Sequence, residues 1–181
     1  MKISNLWFSY ENKPIFEDYS LELYDGITCL MGASGIGKTT LLKLMAGLLT
    51  PDAGTIDIGN RKVSFMFQED RLLPWLNVRD NILLVTDKEK EADELLEELG
   101  IDASLKTAEL SGGMARRVAM IRCLLYESDM LLMDEPFKGM DEALIKKAAS
   151  IIIRQNKPVV ISTHSTDEVK ALDAEVIEIE N

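Results

Sequence analysis

Apolar and polar residues change rhythm several times along this chain, and each change marks a different element. Residues 2–10 and 16–24 read as antiparallel strands, separated by a turn around Asn12, Lys13 and Pro14, and Asp25-Gly26 makes the next turn. Residues 27–31 are a short apolar run leading into glycines. Beyond them, residues 38–46 place Leu41, Leu42 and Met45 on one helical face, and Gly47 stops the helix. A turn over 51–54 precedes a strand over 55–58, and a buried strand over 63–67 delivers Gln68 at its C-terminal end.

From residue 72 to 128 the pattern is helical, clearest over 88–99, where Ala92, Leu95, Leu96 and Leu99 form one stripe. The acidic residues of that stretch read as its solvated face. An apolar run over 130–133, a helix over 141–155, a buried strand over 159–161 and a final strand over 175–180 complete the chain. Short strands that are apolar on both faces and alternate with helices predict an α/β fold, with a mostly parallel sheet covered on both sides. Ligands of such sheets bind beyond the carboxyl ends of the strands.

Composition narrows the functional classes. With 181 residues and 46% hydrophobic content, the chain supports one domain over 1–181. Within it, 1–71 and 129–181 form the β subdomain and core, and 72–128 the inserted helical subdomain. Twenty basic against 31 acidic side chains give a net charge of −11, which repels nucleic acid. Cys29 and Cys123 stand far apart without metal-type spacing and read as buried, reduced thiols. Charged and polar residues interrupt positions 1–13, so no secretion signal is expected there, and no apolar run approaches membrane-spanning length. A cytoplasmic protein that meets the membrane only through a partner is the expectation.

Gly32-Ala33-Ser34-Gly35-Ile36-Gly37-Lys38-Thr39 fits the pattern G-x-x-x-x-G-K-[ST] and lies between a predicted strand and a predicted helix. Glycines let backbone N–H groups converge on a phosphate, and the following helix adds the positive end of its dipole. Lys38 is then placed for the β- and γ-phosphates of ATP, Thr39 for magnesium, and Thr40 continues the cradle.

Leu110-Ser111-Gly112-Gly113-Met114 resembles the signature sequence of ABC ATPases, and that family accounts for motifs along nearly the whole chain. Without the resemblance, Ser111 is simply an N-cap for a helix carrying Met114, Val118, Ile121 and Leu125 on one face. The resemblance implies that Ser111, Gly112 and Gly113 also contact the γ-phosphate held by an opposite subunit. Leu131 to Pro136 is similar to the family's Walker B segment, in which Asp134 orients the magnesium shell and Glu135 acts as general base. By the same resemblance His164 is the switch histidine, Gln68 the glutamine that senses the γ-phosphate and helps hold magnesium, and Asp141 the dimer-contacting aspartate. Tyr10 matches the aromatic that stacks on adenine, with Phe8 and Trp7 close enough to compete for that place.

Met114 replaces the usual signature glutamine, and Lys138-Gly139-Met140-Asp141 replaces the usual Ser-Ala-Leu-Asp. A small P-loop kinase would explain Lys38 and Thr39 but leave Gln68, the Ser111 segment and His164 without roles. An ABC protein of DNA repair or translation would be expected to show a coiled-coil insertion or basic surfaces. The resemblance implies an ATP-hydrolysing transporter subunit, paired as a homodimer or heterodimer and attached to transmembrane permease subunits. The run from Phe67 to Leu76, together with Met114 and Asp134-Glu135-Pro136-Phe137, is similar to importers of nitrate, taurine, other sulfonates or pyrimidine precursors. The chain stops soon after its last strand, so no attached regulatory domain is expected. Leu72, Leu73, Pro74 and Trp75, directly after Gln68, are a candidate docking groove for a permease helix or else a loop packed on the helical subdomain.

Overall fold

The computed structural model describes residues 1–11 and 13–180. Strands β1 (Lys2–Tyr10), β2 (Lys13–Glu22) and β4 (Ala53–Asp57) form an antiparallel sheet in the order β2-β1-β4. The predicted turn residue Asn12 lies outside the described residues, while Lys13 and Pro14 already belong to β2. β2 is an edge strand, paired only with β1, and edge strands are where a sheet accommodates proline. In β1 the left-handed Asn5 (φ 48°) shifts the register, so Ile3, Leu6 and Phe8 all face inward despite their uneven spacing.

The second sheet is parallel throughout, in the order β5-β6-β7-β3-β8. Its strands are β3 (Ile27–Met31), β5 (Val63–Met66), β6 (Met130–Asp134), β7 (Val159–Ser162) and β8 (Glu175–Glu178). The final strand is shorter than expected, yet Ile179 still donates its N–H to the Met31 carbonyl at 2.9 Å. Strand alternation explains the two cores. Met130, Leu132 and Val160 pack with α1 (Lys38–Met45) and the antiparallel sheet, whereas Leu131, Met133 and Ile161 face the helical side.

That helical side comprises α2 (Val78–Leu83), α3 (Glu89–Glu98), a 3-10 turn (Thr107–Glu109), α4 (Gly112–Leu125) and α5 (Glu142–Arg154). Residues 72–77 form no helix, contrary to the pattern. Pro74 interrupts them, and Asn81 from α2 exchanges hydrogen bonds with both the N–H (2.8 Å) and the carbonyl (3.1 Å) of Leu73. A further helix, α6 (Thr166–Leu172), was not legible in the apolar pattern. Its signal is polar: Ser165 caps it with Glu168 three residues on.

Cys29 and Cys123 are both buried, and burial pushes their thiols up to about 12 and about 11. At pH 8 neither should react with a thiol-specific disulfide reagent until the chain unfolds, because the thiolate is the nucleophile. Since the unfolded thiols ionise near 9.0 while the folded ones keep their protons, the unfolded state binds fewer protons and stability should fall above pH 9. Fast labelling of the native protein would contradict both expectations.

Candidate functional site

The glycine loop runs from the carboxyl end of β3 into α1. Gly37 (φ 117°) is buried, and a Cβ there would come within 2.9 Å of the Ile15 and Phe16 side chains, so only glycine brings the backbone this close. Gly37 caps α1 without any side-chain bond, leaving first-turn N–H groups free for an anion. Ile36 is half-buried against the core beside the antiparallel sheet, and its N–H donates to the Ala33 carbonyl at 3.3 Å, which turns the loop. The Lys38 ammonium folds across the loop, donating to the Gly32 carbonyl at 2.7 Å and the Ala33 carbonyl at 3.0 Å.

Opposite the loop, β6 ends in Asp134, which is 2% exposed. It shares the strand face of Met130 and Leu132, the face toward α1, so its Oδ2 accepts the Thr39 hydroxyl at 2.8 Å. Its Oδ1 accepts the hydroxyl of Ser162, whose oxygen in turn accepts the Glu135 N–H at 3.0 Å. Glu135 turns out of the strand with φ 48°, and Gln68 Nε2 donates to its Oε2 at 3.4 Å. His164 is exposed beside them. Next to it the Thr163 hydroxyl donates to Glu168, whose carboxyl is pushed up by burial against the opposing pull of that bond and of His164.

These groups converge on a cleft of about 630 Å³. Gly32, Ser34, Gly35, Gly37, Lys38, Thr39 and Thr40 form one wall, and Gln68, Asp134, Glu135 and His164 the other. Tyr10 closes one side at 42% exposure, edge-on to the buried Phe8, while Trp7 does not reach the cleft. Ala33 and Ile36 belong to the loop without lining the cleft. Ile15 lines it and was not anticipated; an apolar residue in an edge strand carries no sequence signal of such a role. Lys38 is the one Lys or Arg among the described lining residues, facing two carboxylates, an arrangement suited to a polyphosphate with a divalent cation.

The Ser111 segment stands apart from this cleft. Ser111 caps α4, accepting the Met114 N–H at 3.3 Å, and Gly112 is exposed beside it. Gly113 lies against the Gly139 carbonyl so closely that a Cβ would come to 2.6 Å of it. Asp141 caps α5, accepting the Leu144 N–H at 2.9 Å. The two unusual methionines, Met114 and Met140, both pack against the core on the helical side, so their apolar character serves packing.

A glycine loop between a parallel strand and a helix, with its lysine and threonine facing a buried strand-end aspartate, defines a P-loop nucleotide-binding protein. Residues 16–138 match the family model described as ABC transporter, and the chain belongs to that family, as an ATP-binding, ATP-hydrolysing subunit. It is 38% identical to the aliphatic sulfonates import ATP-binding protein SsuB 1 of Rhodococcus jostii, over 93% of this chain and 74% of that protein. It is 32% identical to the taurine import ATP-binding protein TauB of Roseobacter denitrificans, over 98% and 76% of the two chains. The ergothioneine transport ATP-binding protein EgtV of Helicobacter pylori is 33% identical over 98% and 95%. The fold is also that of a dimeric bacterial ABC transporter cassette, with TM-score 0.84, 24% identity and coverage of 98% and 93%.

Proposed function

We propose that this chain drives solute import by hydrolysing Mg-ATP between two cassettes, each completing the other's site, with import of sulfonates such as taurine as the first candidate. The observation that carries the shared site is the separation of Ser111, Gly112, Gly113 and Asp141 from their own cleft. Ser111 leads a helix whose N-terminal N–H groups suit a phosphate, and a second cassette packed head to tail would receive them. The similarity to SsuB 1 and TauB over nearly the whole chain supports the sulfonate class.

Thr39 and Asp134 offer hard oxygens 2.8 Å apart. Magnesium commonly takes one or two protein ligands and fills its remaining positions with phosphate oxygens and waters, so this pair fits it. When bound, magnesium supplies positive charge that offsets the charge developing between the β- and γ-phosphates. Lys38 holds the same phosphates from the loop side, Gln68 senses the γ-phosphate and helps hold the metal, Tyr10 stacks on the base, Glu135 accepts the proton of the attacking water, and His164 holds the γ-phosphate and that water.

No helix among the described residues is long and apolar enough to cross a membrane. The similarity to import ATP-binding subunits supports attachment on the cytoplasmic face through permease subunits. Their docking place is a groove of about 380 Å³ directly behind Gln68, walled by Phe65, Phe67, Asp70, Arg71, Arg122 and Tyr126. Trp75 does not line it but stands 75% exposed in the adjoining segment, as an anchor outside the core would. Coexpression of the untagged chain with a tagged permease of the sulfonate class tests the reading. Co-purification and ATP-dependent taurine uptake by proteoliposomes are expected; a chain that never co-elutes would count against it. Trp75→Ala should leave thermal midpoint and ATP affinity unchanged yet lower uptake per ATP hydrolysed. Normal coupling in that variant would remove Trp75 from the docking surface.

A further inference from the structure

We propose that Arg116 is a positioning residue for hydrolysis, a fork that holds the loop carrying Gln68 to the strand end carrying Glu135. It lies in the second turn of α4 and is 2% exposed. On one side its Nη1 donates to the Phe67 carbonyl at 2.7 Å, the Gln68 carbonyl at 3.2 Å and the Asp70 carboxylate at 3.0 Å. On the other its Nε donates to the Glu135 carbonyl at 3.1 Å, and its Nη2 to the Asp134 carbonyl. None of these acceptors belongs to α4.

A buried ion is a weak source of stability, since a well-packed apolar side chain often does as well. What only a guanidinium supplies is a rigid plane of donors with fixed directions. Both segments it joins have left the sheet at this point. β5 ends at Met66, before Gln68, and Glu135 has entered the left-handed region at φ 48°. Such a conformation persists where the surroundings over-determine it. Here Ser162 holds the Glu135 N–H through its carbonyl at 3.1 Å and its hydroxyl at 3.0 Å, and Arg116 holds the Glu135 carbonyl. With their backbones tied to one guanidinium, the Gln68 and Glu135 side chains meet at 3.4 Å. The fork also reaches the groove behind Gln68, because Asp70 lines that groove. A displacement of Asp70 there would be felt at Glu135.

The inference rests on Glu135 being the base that activates water. Arg116→Lys keeps the charge and loses the plane, so its kcat for ATP should fall about tenfold or more, as small misplacements of reacting groups do. Its dissociation constant for ATP should stay within roughly threefold, because Arg116 touches none of the phosphate loop. Backbone hydrogen exchange should quicken in the segments around Gln68 and Glu135 and stay unchanged in α5. A folded Arg116→Lys protein with undiminished kcat, or with affinity and kcat falling together, overturns the proposal. Glu135→Gln, run alongside, separates the two ideas: turnover retained there refutes the base assignment, whereas normal turnover in Arg116→Lys alone refutes only the fork. Should Arg116→Lys not fold, Asp70→Asn removes just the ion pair at the groove end. A kcat lowered by about threefold at unchanged affinity is then expected, and a wild-type kcat overturns the proposal.

Discussion

Lys38→Ala is expected to abolish tight ATP binding while leaving the fold intact. Lys38 is the one Lys or Arg among the described residues lining a cleft that also presents Asp134 and Glu135, in a chain of net charge −11. Removing it leaves a triphosphate facing two carboxylates with only backbone N–H groups and a metal ion to oppose them. A hydrogen bond to a charged group contributes about 1.5–3 kcal/mol, and losing such bonds to both the β- and γ-phosphates corresponds to about a hundredfold or more in affinity. The structural cost is small by comparison. Lys38 is half-buried, and its bonds to the Gly32 and Ala33 carbonyls tie only the loop itself. Calorimetric titration with Mg-ATP checks this, with the thermal midpoint as control. Unchanged affinity would mean that the loop binds nucleotide through its backbone alone.

How much of this site could be read in the sequence depended on how local its signals are. The phosphate loop was legible because its glycines, lysine and threonine are contiguous, and each residue type answers a local steric or electrostatic demand. The parallel strands were legible because burial on both faces leaves continuous apolar runs, as in β6 and β7. What escaped depends on partners far along the chain. Arg116 reads as one more charge on a helix, and only the placement of Phe67, Gln68 and Asp134 beside it shows that it is buried. Ser162 looks like an ordinary strand-end serine until its hydroxyl is found between Asp134 and Glu135. The non-helical course of 72–77 is settled by Asn81 and Thr107, whose bonds to the Leu73 backbone no local rule anticipates. Pro14 fits its strand only because that strand is an edge. Local motifs and strands were therefore readable, and the long-range contacts around them were not.

Glu135→Gln is expected to retain ATP binding and lose turnover by about a hundredfold or more, the low end of what a positioned general base contributes. The amide keeps the size of the carboxylate and can still meet the Gln68 side chain, which lies 3.4 Å from Glu135 Oε2, but it cannot accept the water's proton. The backbone that aims the residue should be undisturbed, since its N–H and carbonyl are held by Ser162 and Arg116 rather than by the carboxylate. Affinity and chemistry should thus separate in one substitution, the reverse of Lys38→Ala, where affinity goes first. If the Ser111 segment of a second cassette completes the site, the ATP-loaded Glu135→Gln protein has no step by which to release that partner. Light scattering should then show dimers with ATP and monomers with ADP. A protein that turns over at the wild-type rate would assign the base elsewhere. One that binds ATP tightly yet stays monomeric at high concentration, with permease subunits present, would remove the shared site while leaving the base in place.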